Sequence, residues 1–416
     1  MVAVDGRSYI HLSACAIVGV ALRVLLDLWF QQSITNNGRT NEYGGAMFAD
    51  LPANMVGSFF VGMLTVSFIN RRFQKHILLA WKTGFCGSLT TFASWNTQMV
   101  VMMEGSVNTY LQSQIGSALF GYLIGFQLAL VSFQTGKHFA IYLQHHYDND
   151  NSPTTTSNKE EIKDQVDEET TMHYSRSSRT QQDQNVQLNN AIIETPANEI
   201  NALEQTKTDV GGNKFKILEV VLNNVSIVLS IAVIIIFIYL DVQNLRTNPP
   251  IQRNLFYQKM WLSFLFAPIG AILRWKLSTY NSVKKTTQIQ KENVMTKKMC
   301  HNFPPWFPYG TFYANILGSI ISILAVGFLD RFLLVKNSSD STRLSGLKES
   351  LLQTCLGAIK TGFAGCLSTV STFISEVDGL FEKYPNEPKG YIYGFLSIGF
   401  ASIISLCIYA PLLRAF

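Results

Sequence analysis

The sequence predicts an all-α membrane protein of nine transmembrane helices, arranged as two inverted four-helix repeats joined by one linking helix. Three observations predict it: long apolar runs almost free of charge, one polar and acidic interruption, and three short motifs that recur in the same order. Of 416 residues, 47% are hydrophobic and 15% charged, where soluble domains carry about 25% charged residues. Runs such as 46–69 and 220–240 hold almost no charge, and roughly 20 apolar residues suffice to cross a bilayer as a helix. Such runs cover most of the chain, which excludes an ordinary soluble domain.

Hydropathy places the spans at about 9–30, 46–69, 77–103, 112–135, 217–240, 258–278, 309–329, 350–374 and 390–412. The first lacks a basic leader and a small-residue cleavage site, so a retained helix is expected. Between the fourth and fifth lies 145–213, with about 13 acidic against 5 basic residues. Such a segment buries too little apolar area to offset its ordering entropy, and a disordered linker is expected. The implied domains are 1–144 (first repeat), 145–213 (linker), 214–245 (linking helix) and 246–416 (second repeat). Without the linker the remainder stands at about +13, which favours anions over cations. No nucleic-acid partner is expected.

With the N-terminus in the cytosol, Arg71, Arg72, Lys75, Lys284, Lys285, Lys291, Lys297 and Lys298 fall inside. Arg246, Arg253, Lys336, Arg343 and Lys348 fall outside, as does Asn337-Ser-Ser339, a glycosylation acceptor. The six cysteines (Cys15, Cys86, Cys300, Cys355, Cys366, Cys407) show no paired spacing, and neither a disulfide framework nor a zinc site is expected. No nucleophile–base pair or metal-ligand cluster is present either, so an enzyme is not expected.

The chain resembles itself. Gly19-Val-Ala-Leu-Arg23 returns as Gly270-Ala-Ile-Leu-Arg274, and Ala53-Asn54-Met-Val-Gly57-Ser58 as Ala314-Asn315-Ile-Leu-Gly318-Ser319. Lys82-Thr-Gly-Phe-Cys-Gly87-Ser-Leu-Thr90-Thr91 returns as Lys360-Thr-Gly-Phe-Ala-Gly365-Cys-Leu-Ser368-Thr369. Four spans plus one linking span make five crossings, so the second repeat enters the membrane inverted. Inverted repeats place a functional site at their interface near the bilayer midplane.

Asn54 and Asn315 sit inside apolar helices, where an amide must find partners. Helix–helix hydrogen bonding and a wet cavity are both open to them. Arg23 and Arg274 lie nearer helix ends, where snorkelling to the interface competes with a functional role. Gly84, Gly87, Ser88, Thr90 and Thr91 crowd the middle of one span, and Gly362, Gly365, Ser368, Thr369, Ser371 and Thr372 another. Poor helix formers so placed predict a broken helix. Broken backbone at membrane depth survives only when buried or lining a cavity, although close small-residue packing is the alternative. Phe92, Trp95 and Phe373 lie beside the breaks, and ring edges can face an anion.

Together, Gly-x-x-x-Arg, an Asn-x-x-Gly helix and Gly-Phe-x-Gly-x-Leu-Thr-Thr-Phe resemble the Fluc (CrcB) fluoride-channel family. The likeness covers both repeats, and the two-domain layout is similar to the fungal fluoride export proteins. It implies a plasma-membrane, multi-pass fluoride channel, a single chain taking the place of the bacterial dimer, with fluoride ion and the lipid bilayer as partners. A structural sodium ion is implied on the carbonyls of Gly87, Thr90, Gly365 and Ser368. Fluoride-pore residues would be Asn54, Asn315, Phe92, Phe373, Thr91, Thr369, Ser371 and Thr372, with Arg23, Arg274 and Glu376 structural or in the vestibules.

The family's Thr-Thr-Phe-Ser-Thr-Phe box reads Thr90-Thr91-Phe92-Ala93-Ser94-Trp95 and Ser368-Thr369-Val370-Ser371-Thr372-Phe373. One pore would pair Phe92 with Phe373. The other would pair Trp95 with Val370, neither matching the family, and is expected to be vestigial. Ala93 and Gln98 have drifted likewise, while Glu376 has not. The competing mechanism is a proton-coupled anion exporter, which needs a carboxylate deep in a span; Asp27, Asp50 and Glu376 all lie near span ends.

Overall fold

The fold was read from a computed structural model that describes residues 6–34, 47–150 except 72 and 106–113, 224–246 except 245, 255–287, 304–337 except 305, and 343–414 except 383. The linker beyond 150, the glycosylation tripeptide past Asn337 and the loop bases Arg72, Arg253, Lys291, Lys297 and Lys298 lie outside the described residues. The chain divides into two units, 1–140 with 221–416, and 141–220. Of the second unit, only the end of one helix is described.

The elements among the described residues are all helices, with no strand among them. In the first half α1 is Gly6–Ile34, α2 Leu51–Thr65 and α3 Ser67–Asn70. The third predicted span is a composite: α4 (Lys75–Leu79), a π-helical stretch (Ala80–Cys86), α5 (Gly87–Leu89), two extended residues, and α6 (Phe92–Glu104). Helix α7 follows at Ile115–Asp150. The linking helix α8 covers Asn224–Asn244. The second half has α9 (Leu255–Thr287), α10 (Tyr309–Asn337) and a second composite. That composite is α11 (Arg343–Ala358), a π stretch (Ile359–Ala364), α12 (Gly365–Leu367) and α13 (Val370–Phe381); α14 (Lys389–Arg414) closes the chain.

Nine spans were expected, the third and eighth of them broken, and six of the described helices are long and apolar enough to cross a membrane: α1, α7, α8, α9, α10 and α14. The physical reasons for the other three are visible. Helix α2 has 15 residues, and the two composites are divided by their breaks. Helix α7 also outruns its predicted end at 135, since no Gly or Pro interrupts 137–152.

Each first helix packs along the composite of its own half through a glycine. A methyl group on Gly19 would strike the Phe85 carbonyl, and one on Gly270 the Phe363 carbonyl. The glycine of Gly-x-x-x-Arg is therefore a close-approach residue in both copies. The largest apolar cluster gathers Phe92, Trp95, Phe373, Val370, Phe133 and Tyr393 around the composites. Large apolar side chains on α7, α8 and α14, such as Leu119, Ile235 and Phe395, face outward, as expected where lipid rather than water is the solvent.

Gly270→Val pushes α9 off a backbone carbonyl that cannot yield. We expect the purified protein to melt at lower temperature, with a loss of about 1–3 kcal/mol, whereas Gly399→Val, beside open space, leaves the melting curve in place.

Candidate ion-conduction site

At each break the backbone leaves the helix for two residues. Thr90 (φ −90°, ψ 148°) and Thr91 (φ −142°, ψ 121°) are extended, as are Ser368 (φ −87°, ψ 159°) and Thr369 (φ −157°, ψ 134°). The second hydroxyl of each pair restarts the helix. Thr91 Oγ1 accepts from the Ser94 amide at 3.3 Å, and Thr369 Oγ1 from the Thr372 amide at 3.4 Å, in the manner of an N-cap.

The two asparagines are spent on these breaks. Asn54 Oδ1 accepts from the Thr91 amide at 2.8 Å, and its Nδ2 donates to the Thr91 carbonyl at 3.3 Å. Asn315 treats Thr369 identically, at 2.8 and 3.2 Å. A side-chain amide thus replaces the missing helical partner on both sides of one residue. Gly57 and Gly318 complete Asn-x-x-Gly, since a Cβ there would press on Thr90 and Ser368 respectively. The motif is a clamp one helical turn long.

The two breaks cross. Thr90 Oγ1 lies 3.1 Å from Thr369 Oγ1 and 3.0 Å from Ser371 Oγ, and Thr91 Oγ1 lies 3.3 Å from Ser368 Oγ. The Ser368 hydroxyl also accepts from the Ala93 amide at 2.9 Å, and Thr90 Oγ1 from the Ser371 amide at 3.2 Å. All of these residues are fully buried.

The arginines are exchanged between halves. Arg274 donates to the carbonyls of Thr83, Gly87 (2.6 Å) and Ser368 (3.2 Å). Arg23 donates to the Thr361 carbonyl. Thr83 and Thr361 occupy matching places in the two π stretches, where the shift from i→i+4 to i→i+5 bonding frees a carbonyl. Both side chains are buried, at 2% and 3% exposure, so neither snorkels. Gly87 and Gly365 carry no Cβ because a guanidinium lies against each. Thr83 and Thr361 were not singled out from the sequence, although they stand inside a repeated motif; nothing in composition announces a π turn.

The sodium expected by resemblance can be tested against this arrangement. The Gly87 and Ser368 carbonyls, one from each half, converge on a single nitrogen of Arg274. Neutral oxygens converging on one point suit a monovalent cation, and each carbonyl oxygen has a second lone pair. Of the four expected oxygens those of Gly87 and Ser368 lie together, and the Arg274 guanidinium already occupies both, so a sodium ion would hold them only in its place.

Phe92 and Phe373 meet edge to face, with centroids 5.6 Å apart and planes at 77°. Phe373 also packs on Tyr393 at 5.3 Å. Beside it Glu376 accepts from Thr311 (2.6 Å), Asn281 (3.0 Å) and Tyr393 (2.7 Å). Trp95 is enclosed differently, stacked on Phe48 at 5.5 Å and packed on Phe92 and Tyr122 at 5.6 and 5.5 Å. Next to it Asn96 donates to Ser405 at 2.8 Å and accepts from Tyr122 at 2.8 Å, and Ser402 donates to Tyr122 at 2.9 Å. Val370 is buried in the same cluster, and Thr372 is half-buried. A cavity of about 580 Å³ reaches Thr91 and Gly365, and its wall carries Arg23, Asp27, Asp50, Lys259 and Lys360. Asp50, expected near a span end, is 3% exposed.

The profile of the family described as CrcB-like protein, Camphor Resistance (CrcB), matches residues 10–133 and again 261–409. The chain belongs to the CrcB family. It carries the family domain twice. "Fluoride-specific ion channel FluC 1" of Lactobacillus johnsonii is 28% identical over 136 residues, 32% of this chain and 94% of that protein. "Fluoride-specific ion channel FluC" of Gloeobacter violaceus is 32% identical over 117 residues, 27% of this chain and 89% of that protein. "Fluoride export protein 1" of Candida albicans is 32% identical over 136 residues, covering 33% of this chain but 27% of that protein. No solved structure matches. In this CrcB-family chain the repeated motifs are thus the clamps, close contacts and exchanged cations of the crossing.

Asn54→Ala and Asn315→Ala each leave a buried amide and carbonyl unpaired. Each is expected to cost about 1–3 kcal/mol of stability, read as a lowered melting temperature. Asn54→Asp keeps the acceptor but loses the donor and falls between.

Proposed function

We propose that the chain is a passive, fluoride-selective channel that exports fluoride from the cytosol across the plasma membrane. In this reading it works as a single chain of nine spans, two inverted repeats and a linking helix. The observation that carries the reading is the pair of crossing helix breaks in a chain whose family members are named fluoride channels and fluoride export proteins. Those names describe transport proteins, not enzymes.

Fluoride holds its hydration water tightly, and a pore must replace that water with donors. The Phe92–Phe373 pair offers ring edges, which carry positive potential. Ser371 and Thr372 offer hydroxyls alongside. Among the described residues no ammonium or guanidinium lies over either ring, so an ion there is solvated without being trapped. A sodium ion, when bound at Gly87, Thr90, Gly365 and Ser368, would supply fixed positive charge at the crossing. Arg274 and Arg23 already hold part of that charge in place. Fluoride that enters as the neutral acid ionises inside, and the membrane potential drives it out at roughly 2.3 kcal/mol per 100 mV.

The second path is proposed to be vestigial. The tight enclosure of Trp95 and the closed Asn96–Tyr122–Ser402–Ser405 network support this, because neither leaves a donor facing a lumen. The proton-coupled alternative also has support in one observation, the placement of Asp27 and buried Asp50 on the cavity wall.

Efflux from proteoliposomes with a fluoride electrode tests all of this. Wild type should release fluoride rapidly under a potential with no pH gradient, and should not release chloride. A requirement for a proton gradient would favour the coupled exporter. Phe373→Ala should cut efflux about tenfold or more, roughly 1.4 kcal/mol at the barrier, while Trp95→Phe and Val370→Ala leave it near wild type. Equal losses in both sets would remove the asymmetry.

A further inference from the structure

The two halves hold a carboxylate at the same place but from opposite helices. In the second half the acid is Glu376 on α13, four residues past Thr372, and the hydroxyl opposite is Thr311 on α10, four before Asn315. Thr311 donates to Glu376 at 2.6 Å. In the first half the position on α6 four residues past Ser94 is Gln98, and the position four before Asn54 is Asp50. There the acid is on α2, and Gln98 Nε2 and Ser94 Oγ both donate to Asp50 Oδ2 at 2.6 Å. Gln98 Oε1 accepts from the Ala49 amide at 3.0 Å, fixing the orientation of its own side chain.

A second observation shows that Asp50 serves this contact. It occupies the N-cap of α2, where an aspartate ordinarily accepts from the helix's first amides, yet it makes no such bond. Pro52 has removed one of those amides. The carboxylate turns to α6 instead and is almost fully buried there. Asp50 and Asn54 lie one turn apart on the same face of α2. Asn54 holds the backbone of Thr91, and Asp50 holds the side chains of Ser94 and Gln98. Between these two attachments α6 begins at Phe92, the ring that meets Phe373.

We propose that Asp50 is a positioning residue for fluoride conduction, the first-half counterpart of Glu376, its carboxylate having moved from α6 to α2. The drift at Gln98 is then half of a compensated exchange and not a loss. This rests on the conduction reading above.

The test is an exchange cycle in proteoliposomes: Asp50→Thr, Gln98→Glu, and both together, which rebuilds the second-half pattern. Asp50→Thr removes the acceptor for buried Gln98 and half-buried Ser94 and should lower fluoride efflux about tenfold or more. Gln98→Glu sets a further carboxylate against Asp50, which already neighbours Asp27, and should lower it similarly. The double variant should recover to within about threefold of wild type, as coupled neighbours do. Because Phe92 rides on α6, the single variants should also lose preference for fluoride over chloride, which a mere shortage of folded protein does not alter. Asp50→Asn, nearly isosteric, keeps one acceptor and should give intermediate efflux even if Asp50→Thr folds poorly. Wild-type efflux from Asp50→Thr, or a double variant no better than the singles, overturns the proposal. Wild type that moves no fluoride overturns the conduction reading instead. The exchange is then judged by melting temperature in the same four proteins, where the double variant must regain what Asp50→Thr loses.

Discussion

Two helices that break inside a membrane leave amides and carbonyls that water cannot reach, and the remainder of this structure is arranged around meeting that demand. An unpaired backbone group in hydrocarbon costs several kcal/mol. Here each break is answered three times over. Asn54 or Asn315 replaces the helical partner of the extended residue, a threonine hydroxyl restarts the next helix, and hydroxyls from the other half fill the crossing. Because each break is satisfied partly by the other, neither half completes its own. The two copies of the family domain form one unit for this reason as well as for their shared apolar core.

The arginines show how the same demand produces charge. A π stretch frees one carbonyl just before each break, and the guanidinium that takes it comes from the first helix of the opposite half. Burying a cation is costly. Carbonyl dipoles offset part of that cost, and Asp27, one turn past Arg23 on α1, shares the cavity wall with it.

Much of this was legible in the sequence because it is written twice. A glycine four residues before an arginine, or an asparagine three before a glycine, means little once; recurrence on equivalent helices identified Arg23, Arg274, Asn54 and Asn315 as a set. The breaks were legible from Gly and Thr crowded into apolar runs. What those residues touch was not. Spacing along one helix says nothing of which carbonyl a guanidinium reaches in another half, and the π stretches have no compositional mark. The limits of each span were less legible, because hydropathy averages over a window and passes through a two-residue break or a 15-residue helix without registering either.

The exchange of Asp50 and Gln98 for Thr311 and Glu376 shows what fusion into one chain permits. In a dimer of identical subunits a substitution appears in both copies, so a carboxylate cannot migrate in one while staying in the other. A fused chain has no such constraint, and each half is held only to the physical condition that an enclosed acid faces donors. Either helix can supply the acid if the other supplies the donor. Residues can therefore differ between halves at positions where the interaction is the same, as at 98 and 376, and also where it is not, as at Trp95 and Phe373. Comparing the halves residue by residue reports both as drift. The contacts separate the two: the acid keeps its donors in each half, whereas the phenylalanine beside Phe92 and Tyr393 is replaced on the other side by an indole that meets Phe92 and Tyr122 and is also stacked on Phe48.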